Sequence, residues 1–207
     1  RVSVMGMDKT FEGFTVEWYG RMFENRQLMQ SFVNTIIVAA ASTVLSVIIG
    51  TLCALGLYKF EFKLKNMISS SLYIPIVIPE LVFAIALLIF FSSIHVSMSM
   101  VTLIIAHVTF SMPFVVITVR ARLAGFDKSI EEAARDLGAN ELRTFFRVTL
   151  PMISPGVISG GMLALTMSLD DVVVSFFTAG PESQTLPLKI LGMVRKGVSP
   201  DVNALST

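Results

Sequence analysis

The chain has 207 residues, of which 54% are hydrophobic and only 15% are charged, and its mean hydropathy is +0.75. A soluble domain needs a more polar surface, so this composition excludes that class and indicates an integral membrane protein. The formal net charge of +1 provides no general electrostatic attraction for nucleic acid. The single cysteine, Cys53, excludes a disulfide framework within the chain.

Four apolar windows are each long enough to cross a bilayer, which takes about 20 residues. They run from about Ser31 to Leu57, from Met67 to Phe91, from Met98 to Val119 and from Gly156 to Phe177. Pro75 and Pro79 in the second window and Pro113 in the third predict kinks, because each proline removes an intrahelical donor. Gly160 and Gly161 predict close helix packing in the fourth window. The expected fold is an all-α, polytopic helical bundle.

Lysine and arginine residues are distributed unevenly between the loops. Nine of the sixteen follow the first or the third window: Lys59, Lys63, Lys65, Arg120, Arg122, Lys128, Arg135, Arg143 and Arg147. The short connection between the second and third windows has none. Because cytoplasmic loops carry the excess of positive charge, we expect these nine on the cytoplasmic side. Residues 1–26 and 179–199 are then expected to be extracytoplasmic.

Both ends of the sequence predict further helices. An extracytoplasmic start requires a crossing upstream, and Ser199, Pro200 and Asp201 have the pattern of a helix start. We therefore expect at least one more span on either side of the four windows. Between Leu186 and Ser199, apolar residues recur near the helical period with cations between them. This pattern predicts a short interfacial helix at the outer mouth.

Residues 127–151 form a charged segment between the third and fourth windows. Asp127 or Ser129 can cap a first short helix, and Ser129 with Glu132 fits a capping box. Gly138 is expected to end that helix in the left-handed conformation. Asn140 is expected to cap a second short helix before Pro151 leads into the next span. From the residues alone, this element is either a functional surface or a solvated amphipathic connector.

Three carboxyl groups lie inside predicted spans, where an ionisable side chain commonly costs about 3 kcal/mol and is by default a functional candidate. Glu80 falls in the second window, and Asp170 and Asp171 fall in the fourth. Counted at about 1.5 Å per residue from the cytoplasmic ends, Glu80 and Asp170 reach similar depths of about 20 Å. Adjacent helical positions point about 100° apart, so the two aspartates face one lumen together only if the helix is broken there.

Carboxylates set across a lumen suit a cationic solute. Each of the three also has a structural alternative. Glu80 can pair with a group in a partner subunit, whereas the Asp170–Asp171 pair can cap a broken helix or belong to a hydrogen-bond network. Because these alternatives differ in their contacts, the structure bears on them directly.

Three further residues are candidates for the pathway or the core. Ser168, one turn before Asp171, is either a lumen hydroxyl or a packing serine. Trp18, the only tryptophan, is either an aromatic belt anchor or part of an outer vestibule wall that contacts the cation. His107, in the middle of the third window, is expected to be a hydrogen-bonded interhelical residue rather than a proton relay.

The charged segment carries a family motif. Glu132, Ala133 and Ala134 are followed after three residues by Gly138, and after nine more by the run Val148, Thr149, Leu150, Pro151. This spacing resembles the EAA loop of ABC importer permeases, with Val148 in place of the usual isoleucine as its one departure. In that family the loop is the coupling helix that docks into the ATP-binding subunit. The resemblance assigns coupling to Glu132, Ala133, Ala134, Gly138, Glu141 and Pro151.

The resemblance also implies an assembly. It implies the type I ABC importer permease (MetI-like) fold, with residues 1–207 in one transmembrane domain that holds about four of an expected six spans. The implied partners are an ATP-binding subunit dimer, a second permease subunit, an extracytoplasmic binding protein and membrane lipid. ATP and Mg would be bound by the ATP-binding subunit, so no cofactor or metal is expected on this chain. The implied location is the bacterial inner membrane.

A narrower resemblance covers most of the chain. The stretches FEGFTVEWY, FSMPFVVITVRARLAGFD, LTMSLDDVVVSFFTAGP and LPLKILGMVRKGVSPDVNALST are similar to the C-type permeases of bacterial spermidine/putrescine importers. The implied substrate is therefore a polyamine. The choice between putrescine and spermidine is left open, as is the identity of the second permease subunit.

The sequence has no loop of the form G-x-x-x-x-G-K-[ST] to hold ATP phosphates and no H-E-x-x-H or G-x-S-x-G motif. We therefore expect a transport subunit rather than an enzyme. Two alternatives are kept. One is a permease of the same superfamily for another solute, such as an anion, which would favour lumen arginines; the four windows contain no Arg or Lys. The other is a membrane sensor or scaffold, which would have no need of buried carboxylates.

Overall fold

The structure, a computed structural model, describes residues 24–196, and all regular structure within them is helical. The helices are α1 (Arg26–Lys59), α2 (Lys65–Ser71), α3 (Ile74–Val77), α4 (Glu80–Ser93), α5 (Met100–Leu123), α6 (Lys128–Asp136), α7 (Glu141–Thr144), a π-turn (Phe145–Thr149), α8 (Leu150–Asp170), α9 (Val173–Thr178) and α10 (Leu186–Lys196). The expected all-α fold is confirmed. Trp18 and the helix start predicted at Ser199 lie outside the described residues.

Three helices are long and apolar enough to cross a membrane by length and composition: Arg26–Lys59, Met100–Leu123 and the continuous helix Glu141–Asp170. A bent pair, Lys65–Val77 with Glu80–Ser93, counts as a fourth if it forms one span. The count agrees with the four apolar windows of the sequence.

The predicted distortion of the second window is present at Pro79, where the helix is interrupted and the chain bends by 112°. Ile78 is extended, with ψ of 134°, and separates α3 from α4. Proline at position 79 lacks an amide donor and disfavours helical geometry in the residue before it. By contrast, α5 runs unbroken through Pro113.

The fourth span begins earlier and ends earlier than predicted. The second short helix of the charged segment does not stop before Pro151, as was expected, but continues through the π-turn into α8. At the π-turn the Leu150 amide donates to the Phe145 carbonyl five residues before it. Pro151, which has no amide to donate, is the second residue of α8 and directly follows this wider turn. At the other end the helix stops at Asp170 instead of reaching Phe177.

Helices α1, α5 and α8 pack together as the centre of the bundle. The buried face of α1 is rich in small residues, including Ser42, Ser46 and Gly50, whereas bulky residues such as Phe32 and Ile36 point outward. The Ser46 and Ser111 hydroxyls are hydrogen-bonded at 2.9 Å and join α1 to α5. Small contact residues let helix backbones approach closely, which is how helices associate within lipid.

The loops of the chain lie at the two ends of the bundle in the grouping that the sequence predicted. At one end, Arg26, Met98 and Gly180 line a shared cavity of about 970 Å³, which brings together three stretches predicted to be extracytoplasmic. At the other end, Tyr58 packs edge-on against Phe126, with ring centroids 6.5 Å apart. The loops predicted to be cytoplasmic therefore share one end of the bundle.

Gly160 is expected to be sensitive to any side chain, because a Cβ there would lie 2.9 Å from the Val115 Cα and would overlap the Thr118 hydroxyl. Gly160→Ala should therefore lower the thermal stability of the purified protein. The matched control is Gly56→Ala in α1, where a Cβ would meet nothing within 4 Å. Since alanine gains about 1 kcal/mol over glycine in a helix, that control should stay the same or become slightly more stable. Equal behaviour of the two variants would contradict close packing at Gly160.

Candidate functional site

The three intramembrane carboxyl groups lie at the two places where apolar helices are interrupted. Glu80 is the first residue of α4, directly after the break at Pro79. Asp170 is the last residue of α8, and Asp171 leaves the helix with ψ of 130°. Interrupted helices at membrane depth are characteristic of segments that line a cavity or are buried in protein. The break required by the sequence argument for Asp170 and Asp171 is therefore present.

Packing of α4 against α9 brings the two breaks together. The Glu80 carboxyl lies near the Asp171 carboxyl, and both Asp171 and Asp170 are close enough to act on it electrostatically. This agrees with the similar depths expected from the sequence. Glu80 and Asp170 are exposed in this chain, whereas Asp171 is only 5% exposed. The three acids therefore form a cluster with an accessible part and a buried part.

Asp171, the buried member, is held by backbone amides. Its Oδ1 accepts from the Val174 amide at 3.1 Å, and its Oδ2 accepts from the Ser175 amide at 2.7 Å. These bonds cap α9, which is the structural alternative that the sequence allowed for the aspartate pair. The Oδ2 atom also lies 3.3 Å from Nε2 of His107. Asp171 thus fixes the geometry of the break, while the side chain of Asp170 is exposed.

His107 is the centre of a buried polar network. Its Nδ1 lies 2.7 Å from the Ser168 hydroxyl, and its Nε2 lies 3.2 Å from the Ser175 hydroxyl. The Ser42 hydroxyl donates to Ser168 at 3.1 Å, which extends the network to α1. His107 is thereby confirmed as a hydrogen-bonded interhelical residue. Ser168 is 2% exposed and lies inside the bundle, so its position here is that of a packing serine.

The accessible part of the cluster has the electrostatics of a cation site. Glu80 and Asp170 each bring a carboxyl group, and Asp170 ends a 21-residue helix whose last carbonyls carry partial negative charge. Among residues 24–196, no group of three or more His, Cys, Asp or Glu side chains is arranged to hold a metal ion. Glu80 and Asp170 thus present negative charge where the two apolar helices are interrupted.

The charged segment folds as two capped helices. Asp127 caps α6 by accepting from the Ser129 amide at 2.9 Å, and this bond holds the pKa of its carboxyl below the ordinary value. Because α6 begins at Lys128, the predicted capping box of Ser129 and Glu132 is not formed, and that expectation is corrected. Gly138 has φ of +85°, as expected for the residue that ends the helix. Asn140 caps α7 by accepting from the Arg143 amide at 2.9 Å.

The residues assigned to coupling lie mostly on the surface, at the end of the bundle that the sequence predicts to be cytoplasmic. Glu132, Ala133, Gly138, Glu141 and Pro151 are exposed, and Ala134 is half-buried. Three large apolar side chains are exposed beside them: Leu137 at 90%, Leu142 at 70% and Phe146 at 62%. An apolar patch on a helical surface outside the spans is characteristic of a protein–protein interface.

One contact at the outer end was not predicted from the sequence. The Asn34 amide group donates to the carbonyls of Glu182 at 2.9 Å and Gln184 at 3.1 Å, and the Thr35 hydroxyl accepts from the Leu186 amide at 2.7 Å. These bonds fasten the segment before α10 to α1. The available signal was Asn34 itself, the one amide side chain within the first apolar window. The short helix predicted between Leu186 and Ser199 is present as α10, and its place at the outer mouth stays a prediction.

The fold and these sites define a membrane permease of a binding-protein-dependent importer. Residues 46–196 match the family described as "Binding-protein-dependent transport system inner membrane component", and the chain belongs to this family. It is 41% identical over 198 residues to the Haemophilus influenzae "Spermidine/putrescine transport system permease protein PotC", covering 96% of this chain and 77% of that protein. It is 42% identical to PotC of Escherichia coli K12 over 95% of this chain and 75% of that protein.

A relative named as a putrescine permease and two solved ABC transporters are also similar to the chain. The "Putrescine transport system permease protein PotI" of Escherichia coli K12 is 38% identical over 94% of this chain and 72% of its own length. A bacterial ABC transporter involved in alginate import superposes with a TM-score of 0.72 at 19% identity, over 91% of this chain and 66% of that one. An amino acid ABC transporter superposes with a TM-score of 0.66 at 17% identity, over 93% and 89%. At these identities the structures establish the fold alone.

Proposed function

We propose that this chain is a membrane-spanning permease subunit of an ATP-driven importer for polyamines such as putrescine and spermidine. The observation that carries the proposal is the meeting of Glu80, Asp170 and Asp171 where two apolar helices are interrupted. The named relatives that share 38 to 42% of its residues support the same substrate class.

The site suits a polyamine for a physical reason. Polyamines carry ammonium groups separated by methylenes, so they need separate acidic contacts with an apolar wall between them. Glu80 and Asp170 would contact the ammonium groups, and Asp171 would hold the broken helix that aims Asp170. Trp18 remains a candidate for the outer vestibule wall. The gain in binding should be modest, because a tightly held dication would not be released.

The proposal includes partners on both sides of the membrane. A dimer of ATP-binding subunits, with ATP and Mg, would dock on residues 127–151 and drive the spans between outward-open and inward-open states. An extracytoplasmic binding protein would deliver the polyamine at the outer end, and a second permease subunit would complete the pathway. The expected location is the bacterial inner membrane.

Reconstitution of the whole complex tests the proposal. The chain would be purified with its ATP-binding subunit and its second permease subunit, inserted into proteoliposomes and supplied with the binding protein. ATP-dependent uptake of labelled putrescine or spermidine is expected, with no uptake of an inorganic anion. If the complex takes up another solute but no polyamine, the proposed substrate is wrong and that solute takes its place. If it takes up nothing, the sensor or scaffold alternative is favoured.

Arg195→Glu is expected to weaken docking of the binding protein and to flatten the salt dependence of that docking. Arg195 is exposed on α10 and lines a cavity of about 560 Å³ at the outer end. Charges at the rim of an interface act mainly on association and on its response to salt. Surface binding measured against ionic strength checks this, with Lys63→Glu at the cytoplasmic end as the matched control. An unchanged affinity for Arg195→Glu would leave α10 with a membrane-surface role only.

A further inference from the structure

Two adjacent glutamates in α6 differ in their surroundings. Glu132, the acid of the EAA motif, is exposed, whereas Glu131 is only 6% exposed and faces the spans. Neighbouring helical positions are separated by about 100°, so α6 can present Glu132 to the exposed surface and Glu131 to the spans. The sequence motif draws attention to Glu132 alone, and Glu131 needs a separate explanation.

Glu131 joins three elements that are far apart in the sequence. Its Oε1 lies 3.1 Å from Nζ of Lys59, the last residue of α1. The same carboxyl group accepts a hydrogen bond from the hydroxyl of Thr149, which is fully buried in the π-turn before α8. The carboxyl group therefore fastens α6 to the cytoplasmic ends of the first and fourth spans.

The charge on Glu131 is maintained by its surroundings. Burial raises the pKa of its carboxyl, but the Thr149 hydrogen bond and the Lys59 ammonium, with a contribution from Arg135, outweigh burial and hold the pKa below the ordinary value. A carboxyl group with a lowered pKa in the folded state contributes stability at neutral pH, and that contribution is lost as the pH falls through the lowered value. The ion pair is therefore present under ordinary cellular conditions.

We infer that Glu131 is a positioning residue that transmits movement of the coupling helix to the spans, through Lys59 of the first span and Thr149 at the start of the fourth. Glu132 and the exposed apolar side chains would meet the ATP-binding subunit, and Glu131 would hold the face of α6 that packs against the spans. This inference rests on the proposed coupling role of residues 127–151 and is independent of the transported solute. A helix tied to the spans only by its flanking loops would let those loops absorb part of the movement.

The test uses the whole importer in proteoliposomes and two single variants. Glu131→Gln keeps an acceptor for the Thr149 hydroxyl but removes the charge, and Lys59→Met removes the partner cation. The double variant Lys59→Glu with Glu131→Lys restores an ion pair of reversed polarity. The matched control is Glu61→Gln, which breaks an exposed ion pair with Lys65 near the same end of α1.

Three quantities are measured for each variant: retention of the ATP-binding subunit, polyamine uptake per ATP hydrolysed, and the ATP-dependent change in thiol labelling of Gln184→Cys in a Cys53→Ala background. Gln184 is exposed at the outer end, so its labelling reports whether an ATP-driven change reaches the far side of the bundle. The labelling needs no knowledge of the solute. If labelling of the wild-type importer responds to ATP but no polyamine is taken up, the proposed substrate is wrong. The inference on Glu131 is then still tested by the labelling response of its variants.

Both single variants should retain the ATP-binding subunit and should lose about fivefold or more in uptake per ATP and in the labelling response, the lower end of usual coupling effects. The reversed pair should recover part of the loss, and Glu61→Gln should match the wild type. Wild-type coupling in Glu131→Gln would overturn the inference. So would a reversed pair that is no better than the single variants. Loss of the ATP-binding subunit from Glu131→Gln would instead place Glu131 in the docking surface.

Discussion

Glu80→Gln and Asp170→Asn are each expected to abolish most polyamine uptake while the permease still assembles and keeps its thermal stability. The amide has about the size of the carboxyl group and removes only its charge. Both side chains are exposed at the helix breaks, so we expect little effect on stability. An ammonium group that loses a carboxylate partner in a partly dehydrated site loses about 1.5 to 3 kcal/mol, which is about tenfold to more than a hundredfold in binding.

Asp171→Asn should behave differently, because its carboxylate accepts through both oxygens. Oδ1 accepts from Val174 and Oδ2 accepts from Ser175. Asparagine has a single acceptor oxygen, so one of these buried amides loses its partner, at a cost of about 1 to 3 kcal/mol. We therefore expect Asp171→Asn to lower thermal stability as well as uptake.

Uptake and thermal unfolding measured on the same three preparations distinguish the roles, with Glu61→Gln as the control for loss of an exposed acid. Normal uptake in all three amide variants would contradict the pathway assignment of the cluster. Poor assembly of all three would show that the acids hold the helices together, and the substrate argument from charge within the apolar windows would have to be withdrawn.

Gly138→Val is expected to uncouple ATP hydrolysis from transport by severalfold. The φ of +85° at Gly138 is a conformation that a β-branched residue adopts only with strain, and left-handed geometry costs about 1 to 2 kcal/mol even for ordinary residues. Relief of that strain would change the turn between α6 and α7, which orients the exposed coupling surface. The change lies outside the spans, so membrane insertion should be unaffected.

The control for this variant is Gly125→Val. Gly125 lies in the turn after α5, where an added Cβ would meet nothing within 4 Å and the backbone φ is not in the left-handed region. The ratio of uptake to ATP hydrolysis should fall for Gly138→Val and stay at the wild-type value for Gly125→Val. If both variants couple normally, the turn geometry at Gly138 is not needed for coupling.

Local sequence signals predicted the parts of the fold that depend on local physics. Long apolar windows located the spans, and the caps at Gly138 and Asn140 followed from the backbone preferences of those residues. The size of the bend at Pro79 did not follow, because proline shows where a helix can break and tertiary packing decides how far it turns. Continuation of the helix through Pro151 was missed because a proline in the first turn of a helix and one that separates two helices look alike in sequence.

The candidate site was predicted in its composition but not in its division of roles. Charge inside apolar windows identified Glu80, Asp170 and Asp171. Nothing local distinguishes Asp170 from Asp171, since their difference depends on a histidine more than sixty residues away and on two amides that the break exposes. Glu131 was overlooked for the same reason, because its partners are the end of α1 and the π-turn.

Because of the π-turn at Phe145–Thr149, the length of the charged segment determines how the fourth span is rotated about its own axis. A π-turn holds one residue more than the α-helical turn that it replaces, and each residue of an α-helix advances the helix by about 100°. Without that extra residue, α8 would be rotated by about 100° relative to α6, so Gly160 would turn away from α5 and Asp170 away from Glu80. The nine residues between Gly138 and Val148 therefore fix the direction in which the fourth span faces, as well as its distance from the coupling helix.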